Sequence, residues 1–165
     1  MHINPERSLH PDYDMLVRQV TSVLEGERSL VANASQFSAL VFDTLAELNW
    51  AGFYLTVPGK NGRDKDLLVG PFQGKPACAR IPFGRGVCGT TAVERKTIVV
   101  PDVHAFPGHI ACDSASASEI VIPLIKNGEV VGVFDIDSPI LNRFSEEDRA
   151  GLERMVEAFL DATDF

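Results

Sequence analysis

The 165-residue sequence has no apolar run long enough to cross a membrane and no excess of basic residues. A transmembrane helix needs about 20 consecutive apolar residues, and no such run occurs. The first residues, MHINPERSLH, lack the apolar centre of a secretory signal, so we expect a cytoplasmic protein. Lysine and arginine number 15 against 23 acids. This balance argues against a nucleic-acid partner, because phosphate binding depends on basic side chains.

Length and composition fit one globular domain. Hydrophobic residues make up 45% of the chain and charged residues 23%, which is ordinary for a folded protein. A chain of this size buries roughly 70% of its unfolded surface. The sequence contains no internal repeat and no recognisable linker. We therefore predict one domain over residues 1–165.

Cysteine is absent outside residues 78–112, where the chain has Cys78, Cys88 and Cys112. All three lie in stretches rich in glycine, proline and histidine. A free cysteine is often a small buried hydrophobe, and this interpretation fits Cys88 best. A thiol reductase instead needs an attacking cysteine, a second cysteine that converts the sulfenic acid to a disulfide, and an external dithiol. The clustered loop cysteines suit that cycle.

Two other uses of these thiols stay open at this point. A zinc site could draw on Cys88, His104, His109 and Cys112. Structural zinc sites usually contain a tight Cys-x2-Cys pair, and the chain has none, so we expect no metal. A hydrolase could combine Cys112 with a histidine base and an acid, but three cysteines exceed what acyl transfer needs.

Hydrophobic periodicity predicts an α+β fold of two helices, a run of antiparallel strands and a final helix. Residues 58–66 are predicted to form an exposed turn, and Asn127-Gly128 a tight hairpin turn. Predicted helices cover residues 11–25, 29–48, 90–96 and 145–163. Predicted strands cover residues 50–57, 67–72, 77–81, 97–103, 119–125 and 129–138.

Six segments between Asn49 and Phe144 carry a recognisable pattern: NWAGFYL (49–55), VGPFQGKPAC (69–78), RIPFGRGVCGT (80–90), VPDVHAFPGHIACDSAS (100–116), SEIVIPL (118–124) and GVFDIDSP (132–139). In these segments the sequence resembles the free methionine-(R)-sulfoxide reductases, which are built on a GAF domain. The resemblance implies an antiparallel sheet with helices packed against it and a ligand cavity roofed by loops. With the helices predicted from periodicity, the expected domain consists of N-terminal helices (11–48), sheet and active-site loops (49–144) and a C-terminal helix (145–163).

The resemblance also implies an activity: reduction of free L-methionine-(R)-S-oxide to L-methionine, in methionine salvage and defence against oxidative stress. Cys112 matches the nucleophile, Cys78 its usual resolving partner, and Cys88 a third cysteine whose role in the family is less settled. No bound cofactor is implied, and thioredoxin or another dithiol is the expected electron donor. Many GAF domains dimerise through their helices, so a homodimer is the expected assembly.

The resemblance places Trp50, Tyr54, Glu119, Asp135 and Asp137 in the substrate pocket, and their chemistry suits a free amino acid. Carboxylates can hold the ammonium group. Trp50 and Tyr54 lie four residues apart in a predicted strand, so they share a face and can form an apolar wall. A sulfoxide oxygen leaves more easily once protonated, so we expect Glu119 or Asp137 to be an acid with a raised pKa.

The competing interpretation is a binding module, namely a GAF sensor that reports redox state through its cysteines. Sensors of this kind are usually joined to an output domain, and 165 residues leave no room for one. This comparison favours the enzyme.

Overall fold

The computed structural model describes residues 7–110 and 114–165, and its centre is a six-stranded antiparallel sheet. The strands are β1 (Trp50–Pro58), β2 (Lys65–Gly74), β3 (Arg80–Pro82), β4 (Ile98–Val100), β5 (Ser118–Lys126) and β6 (Glu129–Ser138). They lie in the order β3-β2-β1-β6-β5-β4. The predicted α+β class is therefore confirmed, with β1, β6 and β5 in the middle of the sheet.

Four α-helices accompany the sheet in the described part of the chain, and local signals set where three of them begin. Asp12, Ser29 and Ser145 each accept a hydrogen bond from a backbone N–H of the first turn that follows, which satisfies donors that have no partner within the helix. The helices are α1 (Tyr13–Val23), α2 (Leu30–Thr44), α3 (Gly86–Glu94) and α4 (Glu146–Ala162). A short 3-10 turn covers Val103–Ala105. None of the helices in the described part of the chain is long and apolar enough to span a membrane.

The two faces of the sheet have different roles. Helices α2 and α4 pack on one face and α1 packs on α4, around a core in which the rings of Phe37, Phe53, Phe134 and Phe159 contact one another. Helix α3 covers part of the opposite face. Because side chains alternate along a strand, Phe53 points to the first face while its neighbour Tyr54 points to the second.

Several predicted boundaries were wrong. The second helix ends at Thr44 and not near Asn49, because Leu45 is extended and its segment pairs with Ser8. The strand predicted at 77–81 is reduced to Arg80–Pro82, and the one predicted at 97–103 to Ile98–Val100. The helix predicted at 90–96 begins earlier, at Gly86.

An irregularity in the β5–β6 hairpin sets the register of the sheet. Asn127 and Gly128 both have positive φ, as a two-residue hairpin turn requires. Beyond the turn Ile125 pairs with Val130, but Leu124 pairs with Gly132, so Val131 is an extra residue. This β-bulge shifts all later pairs by one position. As a result Glu119 lies opposite Asp137; without the bulge it would lie opposite Ile136, whose side chain belongs to the helix-covered core.

Candidate active site

A pocket opens on the sheet face that α3 partly covers. Its walls come from the beginning of α3, including Cys88, from Ala77 after β2, and from His109 in the loop before β5. Its floor consists of side chains from the three central strands: Trp50, Tyr54, Glu119, Asp135 and Asp137. The structure thus brings together all five residues that the sequence placed in a substrate pocket.

Strand pairing arranges the floor in a row. Asp137 pairs with Trp50 of β1 on one side and with Glu119 of β5 on the other. Asp135, two residues earlier on the same face, pairs with Gly52 and Val121, so it lies diagonally across from Glu119. Directly opposed and diagonal neighbours on one face are close enough to interact. An aromatic ring and three acids therefore occupy adjacent positions.

The aromatic wall is a stack of three rings. The Trp50 ring lies 5.7 Å from Tyr54 and 5.1 Å from Phe72, with interplanar angles of 28° and 18°. Both polar groups of the wall are engaged with the backbone: the Trp50 indole N–H donates to the Lys75 carbonyl and the Tyr54 hydroxyl donates to the Cys78 carbonyl. Phe72 was missed by sequence reasoning, because only its pairing with Gly52 brings it to this face.

Gly52 leaves the room that Trp50 occupies. A Cβ built on Gly52 would come within 2.2 Å of the Phe72 Cβ and 2.9 Å of Cη2 in the Trp50 ring. Contacts this short force atoms to move, so any larger residue would displace Trp50 or Phe72. The absence of a side chain at position 52 therefore positions the aromatic wall.

Burial changes the chemistry of the acids. Glu119 and Asp135 are each only 5% exposed. Burial raises the pKa of Glu119 to about 8; repulsion by Asp137 adds to this rise, and the hydrogen bond with Asp135 opposes it. Burial, and then the charge of Glu119, raise the pKa of Asp135 well above its usual range. Glu119 therefore keeps its proton at neutral pH and can donate it.

The thiol of Cys88 is buried among the same groups. Cys88 lies inside α3 rather than before it, and it is the free cysteine of the described residues. Burial, and then the neighbouring charges of Asp135 and Glu119, raise the pKa of this thiol well above its usual value. A thiol attacks as its thiolate, so Cys88 in this position is poorly suited to be the nucleophile.

The other two cysteines differ in how far the structure describes them. Cys78 is half-buried, follows β2 and is disulfide-bonded. Cys112, which the sequence identifies as the nucleophile, lies outside the described residues.

The histidines of the loop before β5 separate into a pocket residue and a surface residue. His109 Nε2 lies 3.7 Å from Oε2 of Glu119, and partial burial lowers the pKa of His109. His104 is exposed and does not line the pocket, so it does not join Cys88 as a zinc ligand. Within the described ranges, the grouping with metal-binding chemistry is Cys88, Glu119 and Asp135.

The sequence is similar to that of a known protein family and of relatives whose activity is known. The family model of the GAF domain matches residues 31–162. The free methionine-R-sulfoxide reductase of Escherichia coli is 47% identical over 156 residues, which cover 93% of this chain and 91% of that protein.

Solved structures of this family have the same fold as this chain. The structure of fRMsr of Staphylococcus aureus in complex with substrate has a TM-score of 0.84 at 46% identity, covering 94% of this chain and 98% of that one. Free methionine-R-sulfoxide reductase from Neisseria meningitidis, also in complex with its substrate, has a TM-score of 0.85 at 40% identity, covering 98% and 95% of the two chains. The predicted GAF fold is therefore confirmed.

We predict that Gly52→Ala displaces the Trp50 ring. Trp50 is the only tryptophan of the chain, so its fluorescence reports on the pocket without interference. The added methyl group overlaps Phe72 and Trp50. We expect a red-shifted emission and a loss of about 1–3 kcal/mol in the free energy of unfolding, as for overpacked sites.

The matched control is Gly70→Ala in β2, where an added Cβ would meet no atom closer than 3.4 Å. Its emission should match that of the unaltered protein. Identical spectra for the two variants would show that Gly52 does not position Trp50.

Proposed function

Because the chain belongs to the GAF domain family and groups there with the free methionine-R-sulfoxide reductases, we propose that it reduces free methionine-(R)-sulfoxide to methionine. The observation that carries this proposal is the row of Trp50, Asp137 and Glu119 across three paired strands. It sets an apolar surface beside a carboxylate and a protonated acid. A free sulfoxide amino acid needs these three surfaces close together.

Each part of the substrate has a counterpart in the pocket. The methyl group packs against the stacked faces of Trp50 and Tyr54, whose polar atoms are already bonded to backbone carbonyls. The ammonium group is held by Asp137 and by Asp135, which gives up its proton as the cation binds, since charged hydrogen bonds to carboxylates are strong. The sulfoxide oxygen accepts its proton from Glu119 or Asp137, and the protonated state of Glu119 supports this role.

The proposed redox reaction of the thiols has two steps. The Cys112 thiol takes up the sulfoxide oxygen, so that methionine is released and Cys112 becomes a sulfenic acid. The Cys78 thiol then attacks that sulfur, expelling water and forming a disulfide, which a dithiol such as thioredoxin reduces by exchange. Two findings support Cys78 as the resolving thiol: it is disulfide-bonded, whereas Cys88 is free and buried in α3.

Substrate selection tests the proposal directly. We expect free methionine-(R)-sulfoxide to be consumed with dithiothreitol as reductant, and the S epimer to react poorly. N-acetyl-methionine sulfoxide and peptide-bound sulfoxide lack the ammonium charge, and a charged hydrogen bond contributes about 1.5–3 kcal/mol. Their kcat/KM should be lower by about 10- to 100-fold or more. Methionine formation by chromatography is the measurement.

Two results would contradict the assignment. Similar kcat/KM for free and peptide-bound sulfoxide would show an open pocket without selection for a free amino acid. A change in Trp50 fluorescence on adding free sulfoxide without any methionine formed would favour a sensor.

Single-turnover experiments separate the thiols. Cys112→Ser should form no methionine even in the first turnover, because it lacks the attacking thiol. Cys78→Ser should form about one methionine per chain and then stall as a sulfenic acid, with thioredoxin-driven turnover lost. Cys88→Ser should keep more of that turnover than Cys78→Ser. If Cys78→Ser turns over fully with thioredoxin and Cys88→Ser does not, the two roles must be exchanged.

The proton donor has its own test. Glu119→Gln and Asp137→Asn keep the side-chain shape and remove the titrating proton. At least one should lower the single-turnover rate constant by about 100- to 10,000-fold, the usual effect of removing a general acid. If Glu119 is the donor, the rate constant of the unaltered enzyme should fall as the pH rises through about 8, where Glu119 loses its proton.

Asp66→Asn is the matched control, since Asp66 is a buried acid that pairs with Arg80 away from the pocket. Its rate constant should stay close to that of the unaltered enzyme. Near-normal rates for both pocket variants from pH 5 to 9 would exclude Glu119 and Asp137 as the donor.

A further inference from the structure

Three buried groups of different chemistry meet at the bottom of the pocket. The thiol sulfur of Cys88, a carboxyl oxygen of Glu119 and a carboxyl oxygen of Asp135 all lie within 4.8 Å of one another. They come from three elements, α3, β5 and β6. Strand pairing fixes the two acids diagonally, and α3 packs on both strands. The cluster is therefore held by the fold and not by one flexible loop.

One oxygen of Asp135 is not satisfied by the described part of the chain. Asp135 is only 5% exposed, and its Oδ1 has no hydrogen-bond partner among the described residues. Leaving a buried acceptor unpaired is energetically unfavourable. Asp135 lines the pocket, and this oxygen lies beneath that surface, shielded from solvent. A positively charged ligand would both pair it and relieve the repulsion between the acids.

The donor set selects the kind of cation. Calcium and magnesium prefer sites made of oxygen alone, whereas a thiolate favours softer metals. Zinc accepts thiolate at about 2.3 Å and carboxylate at about 2.0–2.2 Å, so its ligand atoms lie roughly 3.5 Å apart in a tetrahedron. The three donor atoms already lie within 4.8 Å of one another, so each separation exceeds the zinc geometry by no more than about 1.3 Å.

We propose that Cys88, Glu119 and Asp135 bind a zinc ion reversibly at the floor of the pocket. Three protein ligands leave one tetrahedral position for water on the pocket side. Binding requires the thiolate, so the Cys88 proton is released to solvent, as are any carboxyl protons that the ion replaces. No electron is transferred, and the ion leaves when a chelator removes it.

The position of the ion has a consequence that rests on the proposed function. Asp135 is one of the carboxylates proposed to hold the substrate ammonium, and Glu119 is a proposed proton donor. An ion bound to both excludes the substrate. Zinc is then an inhibitor that competes with methionine sulfoxide, and it acts without oxidising any cysteine.

Metal binding is measured on the full chain, first without substrate. The protein is reduced with a phosphine, which binds zinc weakly, and Zn²⁺ uptake is followed by equilibrium dialysis and calorimetry. Cd²⁺ serves as a second probe, because cadmium bound to a thiolate has an ultraviolet charge-transfer band. We expect one ion per chain for both metals, and no binding of Mg²⁺ or Ca²⁺ at the same concentrations.

Substitutions identify the ligands. Cys88→Ser should abolish the cadmium band and weaken zinc binding by about 100-fold or more, because even outer-shell partners contribute about 10- to 100-fold. Asp135→Asn should weaken binding while keeping the band. Cys78→Ser and Asp66→Asn are the matched controls, a thiol and a buried acid outside the cluster, and should change neither quantity. Circular dichroism checks each fold, and Cys88→Ala replaces the serine variant if that variant is unfolded.

The oxidised protein gives a sharper test. In the described state Cys78 is disulfide-bonded and Cys88 is free, so a site built on Cys88 should still bind cadmium when Cys78 is oxidised. Loss of the band on oxidation or in Cys78→Ser, with retention in Cys88→Ser, would overturn the proposal. Absence of saturable binding would also overturn it.

Titration with free methionine sulfoxide then separates this proposal from the proposed function. Displacement of cadmium by the sulfoxide supports a shared site. If the band depends on Cys88 but the sulfoxide does not displace the metal, the metal site stands and the placement of the ammonium at Asp135 is wrong.

Discussion

The register between β5 and β6 is the constraint on which the pocket depends. Asp137 can lie between Trp50 and Glu119 only because Val131 is inserted opposite the Leu124–Ile125 step. A slip of one residue moves every side chain of a strand to the other face. Because the extra residue is in β6 and the alternation along β5 is unbroken, the slip would turn Asp135 and Asp137 toward the phenylalanine core, where burial of an unpaired carboxylate is costly. Gly132 beside the bulge allows the β1 backbone to approach: a Cβ there would lie 2.4 Å from the Tyr54 carbonyl oxygen.

The same register has a cost in stability. A carboxyl whose pKa is raised in the folded state keeps a proton that the unfolded chain loses, so the free energy of unfolding falls as the pH rises between the two values. For Glu119 this interval runs from the ordinary range of a glutamate to about 8, which is on the order of 3 kcal/mol at neutral pH. The opposite face offsets this cost through the contacts of Phe37, Phe53, Phe134 and Phe159. The pocket acids and the phenylalanine core thus come from the same strands but lie on opposite faces of the sheet.

Local signals made much of this fold predictable, and non-local pairing explains the rest. Asn127-Gly128 and Ser145 act within a few residues, so the hairpin turn and the beginning of the last helix were predicted correctly. The period of two placed Asp135 and Asp137 on one face. An unbroken hairpin, however, would pair Glu119 with Ile136 instead of Asp137. Gly132 beside Val131 is the one local signal of the bulge, and a lone glycine does not fix the register. The grouping of Cys88 with Glu119 and Asp135 has no short sequence spacing of the kind that predicts a metal site, because these residues come from three separate elements.

The position of Cys88 inside α3 favours metal binding over redox cycling by this thiol. Redox cycling needs a thiolate that can reach both a substrate and a second cysteine. Burial beside two acids opposes ionisation of Cys88. The same environment that keeps Glu119 and Asp135 protonated therefore makes the Cys88 thiol a weak nucleophile. A cation reverses this preference, because it stabilises the thiolate and the carboxylates together. The buried thiol is therefore better suited to binding a metal than to attacking a sulfoxide, and the proposed redox cycle falls to Cys112 and Cys78.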